Sequence, residues 1–436
     1  MAITLSDILH YWDYRDGTLQ PRVGGTASFT RAGNAWSVQG ITADELLVDT
    51  PRIGPDGLVL EPSFTNLLSG SFALDATTDN WTINGGWTIS AVNSLFVGES
   101  AYLHVNDNAG VDRLRGQTTG TLSATPETVI VVYEEVDATQ MDFGLRDNTT
   151  SQWVALTRFD FSTTTSTDTK AGSDHMHGAV KLADIGPNGG RVWFLWSTAT
   201  PANSGNTRKI FVYPVDRDLS NSESAILHAV ACIDGAFPFW PIDGSMAGEL
   251  MYWDRMPAPQ AMAIYHRGLA GGEGNNGEGL PRVWSAHSGS NPTAPDIGLQ
   301  WNSTTDLRAR FENGTDAEVT ADVTLTPTRG DLIETVVVLE SDGTLRLKAR
   351  KNGGAVSAAN SSTPASGLPS AHWFSDKLTL GGTSNGVARG SNYHQATKIV
   401  KLSALSSATT GEDENLMAEL AGALLLSDGS ISNVIL

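Results

Sequence analysis

Cysteine is all but missing from this 436-residue chain: Cys232 stands alone, so no internal disulfide can form. The fold must rest on its apolar cores, and assembly in a reducing cytosol is allowed. Positive charge is scarce as well. There are 28 Lys+Arg against 48 Asp+Glu, a formal net charge of −20. Bulk binding of nucleic-acid phosphates needs clustered Lys/Arg, so that class is excluded, and an anionic membrane surface is disfavoured for the same reason. Charged residues make up only 17% of the chain, and no long heptad repeat is present, which argues against a self-contained fibre shaft. No run of about 18 apolar residues exists, so no membrane-spanning helix is expected. The opening stretch MAITLSDILHYWDYRDG has no basic n-region, so no signal peptide is expected. No G-x-S-x-G, H-E-x-x-H or P-loop pattern occurs.

What is present points to β structure. Hydrophobic residues make up 40%, with 45 Gly and 12 Trp, and Ser/Thr-rich stretches recur. Turn residues with aromatic and β-branched runs predict an all-β protein of two to three domains. Residues 1–70, broken by Pro21, Pro51, Pro55 and Pro62, read as an extended N-terminal docking segment. Residues 71–244 read as a jelly roll, with strands at 128–133 (TVIVVY), 192–196 (VWFLW), 210–213 (IFVY) and 226–232 (ILHAVAC). Asn84-Gly85-Gly86 between two Trp-Thr-Ile runs predicts a hairpin. Residues 245–436 read as a second sandwich, with a strand at 331–339 and a hairpin turn at Asn352-Gly353-Gly354. Arg346, Lys348 and Arg350 give one of its strands a basic face, a candidate contact for an acidic partner such as another copy of this chain. The spacing of Leu416, Leu420 and Leu424 predicts a short helix over 412–425, and a second short helix is considered over 257–270.

The chemistry-bearing residues are few. His175 and His177 fall on one face of a strand and are weak metal candidates, since a third ligand is not visible. Asp107 and Asp112 are weak oxygen ligands for Ca²⁺ without EF-hand order. Glu134 and Glu135 are adjacent, so on a strand they point to opposite faces and cannot form a glycosidase pair by themselves. Aromatic side chains are the better candidates, because sugar rings stack their apolar faces on them. Trp193 and Trp196 share a strand with opposite parity, so one faces away from the core; Trp284, Trp301, Trp373, Tyr393 and His394 lie near polar loops. Tyr11, Trp12 and Tyr14 crowd a short segment and read as a docking contact, the alternative being packing back onto the first sandwich, residues 71–244.

Three ordered patches resemble tailed-bacteriophage virion surface proteins. The first is residues 27–33 (ASFTRAG), then Pro51-Arg52-Ile53, residues 56–62 (DGLVLEP) and Thr65-Asn66-Leu67-Leu68. The second, residues 190–242, is similar to a carbohydrate-binding-module-like jelly roll closing at Gly235-Ala236-Phe237-Pro238. The third, residues 260–425, resembles a concanavalin A-like or laminin G-like sandwich. Together they cover most of the chain. Ala231-Cys232-Ile233-Asp234-Gly235 departs from the usual aromatic-Gly-Ala-Gln exit. The resemblance implies a virion structural role and does not fix the position on the particle. The preferred reading is a non-enzymatic protein made in the host cytoplasm and displayed on the virion surface, of tail-fibre or tail-tip type, presenting sandwiches to host glycans. Capsid decoration, a tail glycan depolymerase and a purely structural connector are the alternatives. It further implies contacts with tail or major capsid proteins, a homo-oligomer with a trimer as one candidate state, and no required cofactor beyond a structural calcium of the kind such sandwiches sometimes hold.

Overall fold

The computed structural model describes residues 8–14, 27–31, 35–39, 42–46, 51–54, 57–60, 64–68, 70–75, 81–83, 87–106, 114–170, 173–216, 223–235, 245–246, 250–254, 261–270, 282–287, 296–303, 305–312, 318–327, 331–340, 342–361, 377–380, 392–401, 424–425 and 431–432. These residues form antiparallel sheets with no α-helix among them, an all-β architecture of the β-sandwich type. Among the described residues no helix is long and apolar enough to cross a membrane. The chain divides into two compact units. Unit one gathers Met1–Ala32, Asp49–Pro62 and Gly248–Leu436; unit two gathers Gly33–Val48 and Ser63–Ala247.

Unit two is built around one sheet that is apolar on both faces. Its strand order is Ser173–Ala183, Val192–Thr200, Glu127–Glu135, Ser224–Asp234, Ser100–Asn106 and Trp87–Asn93. On Glu127–Glu135, Val129, Val131 and Tyr133 enter one core while Ile130 and Val132 enter another. Side chains alternate across a strand, so a continuous β-branched run has to be covered twice. The first cover is a facing sheet ordered Thr165–Lys170, Gln152–Asp160, Gln140–Asp147, Thr207–Tyr213, Leu114–Thr121 and Thr82–Ile83. The second is supplied by Ala43, Phe64, Phe72, Leu95 and Phe96. Arg208 of the facing sheet ties the two sheets together. Its Nε and Nη2 donate to Glu127 Oε2 and Oε1 at 2.7 and 2.6 Å, and Nη1 and Nη2 donate to the carbonyls of Thr119 and Thr121.

The Trp-Thr-Ile runs do not form the expected hairpin. Thr82–Ile83 pairs with Leu114–Thr121 in the facing sheet, whereas Trp87–Asn93 pairs with Ser100–Asn106 in the doubly covered one. Asn84-Gly85-Gly86 lies outside the described residues, and Trp81 before it is buried in the core between the two sheets. The turn at Asn352-Gly353 does join paired strands, with φ of +51° and +70° at those two residues.

Unit one packs an eight-stranded sheet against a seven-stranded one around a single large core. The segment read as an extended leader contributes strands to it. Ile8–Asp13 pairs with Asn392–Lys401, Ser28–Thr30 with Leu250–Asp254, and the Arg52–Gly54/Gly57–Leu60 hairpin extends the larger sheet. Tyr11, Trp12 and Tyr14, read as docking groups, are fully buried, and Trp12 and Tyr14 join the core. Their apolar area is already spent on packing, so they offer no surface. Residues 257–270 hold no described helix: Met262–Ala270 is a strand bonded on both sides, to Leu332–Leu339 and Asn392–Lys401. A short apolar run reads alike as buried strand or buried helix. The helix expected over 412–425 falls outside the described residues, except that Leu424–Leu425 pairs as a strand with Ile431–Ser432. The basic face is neutralised within the unit: Arg346 pairs with Glu340, Arg350 with Glu334, and Lys348 is buried.

Trp12→Ala is expected to lower the stability of unit one by about 3–5 kcal/mol, read by denaturant unfolding, because it empties a large core site. Burial holds His104 of unit two and His266 of unit one down at about pKa 3. Both are neutral when folded, while the unfolded chain takes up a proton near pH 6.5. Stability is therefore full above about pH 6.5 and is lost as pH falls toward 3, by up to about 4 kcal/mol for each residue. His104→Leu should flatten this acid sensitivity for unit two, measured as melting temperature against pH.

Candidate functional site

Val192–Thr200 settles the parity question. Trp193 points inward, is 5% exposed, and donates its Nε1–H to Glu135. Trp196 points to the opposite face, where it is half-buried and packs against the margin of the second core. Trp196 pairs with Ile130 on one side and with Gly178 of the edge strand Ser173–Ala183 on the other. A Cβ placed on Gly178 would come within 2.1 Å of the indole Cζ2. The missing side chain is what lets the indole lie across the edge strand. Met176 and Val180, two residues to either side of Gly178, share that face and are 47% and 43% exposed. The result is a tryptophan platform rimmed by two exposed apolar side chains at a sheet edge. Such a surface suits the C–H face of a sugar ring.

The opposite face of the same edge strand is polar. His175 Nε2 lies 3.1 Å from Thr157 Oγ1 and 3.0 Å from Ser197 Oγ. Its Nδ1 stands 2.9 Å from Asp168 Oδ1, and His177 Nε2 stands 3.0 Å from that same oxygen. Ser166 Oγ lies 2.7 Å from His177 Nδ1. These residues come from four strands and close the edge where the two sheets meet. Burial pushes the His175 imidazole down; Asp168 opposes that shift and His177 adds to it. The Asp168–His175–Ser197 order copies that of an acid–base triad. However, Nδ1 makes no aligned hydrogen bond, and Ser197 is 2% exposed. The arrangement is a hydrogen-bonded seam. His175 and His177 do share one face, but their ring nitrogens face hydroxyls and a carboxylate. Among the described residues no three His, Cys, Asp or Glu side chains form a group able to hold a metal.

Glu134 and Glu135 do point apart. Glu134 accepts from Asn188 N, Asn188 Nδ2, Gly190 N and His228 Nε2. Leu95 N donates to His228 Nδ1, which places the ring proton on Nε2. Burial alone would raise the Glu134 carboxyl, but these hydrogen bonds hold it below the usual range. Glu135 is taken up by Arg191 and Trp193.

Trp284 and Trp301 belong to the core of unit one. Tyr393 and His394 sit on Asn392–Lys401 opposite Leu269 and Gly268. Trp373, Asp107 and Asp112 lie outside the described residues. A second aromatic group escaped the sequence reading. On the outer face of the facing sheet, Trp153 and Phe211 meet edge to face with centroids 5.2 Å apart, and Tyr213 stacks beside Phe211. Arg146 lies over both Trp153 and Phe211, at 5.8 and 5.6 Å, and Lys209 lies over Phe211. The alternation Lys209, Phe211, Tyr213 on one strand was the signal that pointed there.

No family model matches the chain, and no curated protein matches it. Among solved structures it is similar to the Ruminococcus gnavus IT-sialidase CBM40 bound to α2,3-sialyllactose, at 14% identity and a TM-score of 0.26, covering 36% of this chain and 81% of that one. At that TM-score the likeness carries no functional argument. The platform makes its own prediction. Gly178→Ala should force the indole off the edge strand and cost about 1–3 kcal/mol. With 5-fluorotryptophan labelling, the Trp196 resonance among the 12 should be the one that shifts most.

Proposed function

We propose that this chain is a non-enzymatic surface protein of a tailed-bacteriophage virion whose unit two recognises glycans through the Trp196 platform. One observation carries the glycan reading: a half-buried indole laid across a glycine at the margin of the second core and flanked by exposed Met176 and Val180 on a sheet edge. An exposed apolar surface of this kind marks a contact site. The virion reading is supported by the order of the three sequence patches along one chain. A tail-fibre or tail-tip position agrees with host attachment. Capsid decoration is the second reading, because the chain lacks a heptad-repeat shaft. Contacts with other virion proteins and a homo-oligomer belong to the same proposal.

Trp196→Ala should weaken glycan binding at unit two about tenfold or more, the equivalent of about 1.4 kcal/mol, while the melting temperature stays within a few degrees. Glycan-array signal undiminished by the substitution would remove the platform from the site. Copy number per particle, read from a stained gel of purified virions, separates the two virion positions: few copies for a tail protein, many for a decoration protein.

A further inference from the structure

We infer that the outer face of the facing sheet in unit two is a second subsite that takes an anionic sugar residue, with Arg146 holding its acid group and Trp153 its ring. This rests on the glycan reading above and names the ligand class for a different face. The geometry begins with Arg146. Its Nε and Nη2 donate to Ser151 O at 3.2 and 3.0 Å, so a backbone carbonyl fixes the guanidinium without neutralising it. Arg146 has no carboxylate partner among the described residues, in contrast to other arginines of unit two. Arg158 is paired with Asp142, Arg191 with Glu135 and Arg208 with Glu127. In a chain of net charge −20, an arginine held over aromatic rings with no acid beside it is out of place as a solubilising group.

The rings beneath it complete the subsite. Phe211 and Tyr213 are buried at 2% and 3% exposure, form the floor, and place Trp153 partly buried beside the cation. Lys209 adds a second positive charge over the Phe211 ring. A guanidinium binds carboxylate or sulfate through parallel N–H donors, and the adjacent indole takes the apolar face of the same sugar. A neutral sugar would use the indole and leave the cation unmatched. Charge complementarity thus selects a uronate or sulfated residue over a neutral one.

The test titrates the full chain with tetragalacturonate, a heparin-derived tetrasaccharide and uncharged maltotetraose by calorimetry, at low salt and in 0.5 M NaCl. At least one anionic tetramer should bind about tenfold more tightly than maltotetraose, and the preference should shrink in high salt. Whether uronate or sulfate wins identifies the acid group. Arg146→Gln should abolish the preference, Arg146→Lys should keep part of it, and Trp153→Ala should weaken binding of the anionic tetramer. Trp196→Ala should leave the preference intact. Equal binding of charged and uncharged tetramers, or a preference untouched by Arg146→Gln in a protein with unchanged melting temperature, overturns this inference and leaves the Trp196 platform standing. Absence of binding by all three tetramers and across a glycan array overturns the glycan reading itself.

Discussion

A sheet that is apolar on both faces governs unit two. Val129, Val131 and Tyr133 on one side and Ile130 and Val132 on the other cannot face water, so the Glu127–Glu135 strand and its neighbours need two covers. The facing sheet satisfies one demand. Ala43, Phe64, Phe72, Leu95 and Phe96, drawn from short segments before and around the first strands, satisfy the other. This requirement explains why chain that looks like connecting loop is folded in. It also explains where the platform falls. The second cover reaches Trp196, Leu182 and Ala183 on the far edge of the sheet but leaves Met176 and Val180 exposed.

Charge is organised by the same economy of burial. Three carboxylates that the sheets enclose are given their own donors on the spot. Glu127 receives Arg208, Glu134 receives His228 and the turn at Asn188–Gly190, and Glu334 of unit one receives Arg350 and Tyr265. A buried charge that loses its partner costs several kcal/mol, so each pairing is part of the fold rather than spare chemistry. His175, Asp168 and Ser197 belong to this class too, since they fasten two sheet edges. Against that pattern Arg146 stands out, because its anchor is a carbonyl and its neighbours are rings.

Strand positions were largely legible. Residues 128–133, 192–196, 210–213 and 226–232 all fall within strands, as does 331–339 apart from Asp331, since β-branched runs bounded by turn residues have one low-energy use. Opposite orientation of Glu134 and Glu135, and of Trp193 and Trp196, also followed from the two-residue period of a strand. Pairing partners were not legible. The two Trp-Thr-Ile runs look like hairpin arms, yet they serve different sheets; Met262–Ala270 fits a helix or a strand until its two neighbours are known. Tyr11, Trp12 and Tyr14 looked exposed because their own segment is too short to bury them, but pairing with a strand about 385 residues away in sequence sets Trp12 and Tyr14 into the core of unit one.

The sequence by itself determined the β class, the dependence on apolar cores without disulfides, the acidic surface and the parity of each side chain along its strand. These are local or additive properties, readable from composition and a two-residue period. Only the tertiary structure decided which tryptophans are cores and which form platforms. It set Trp196 over Gly178 and Arg146 over Trp153 and Phe211, because exposure depends on the register between strands far apart in the chain, and no local pattern encodes that register.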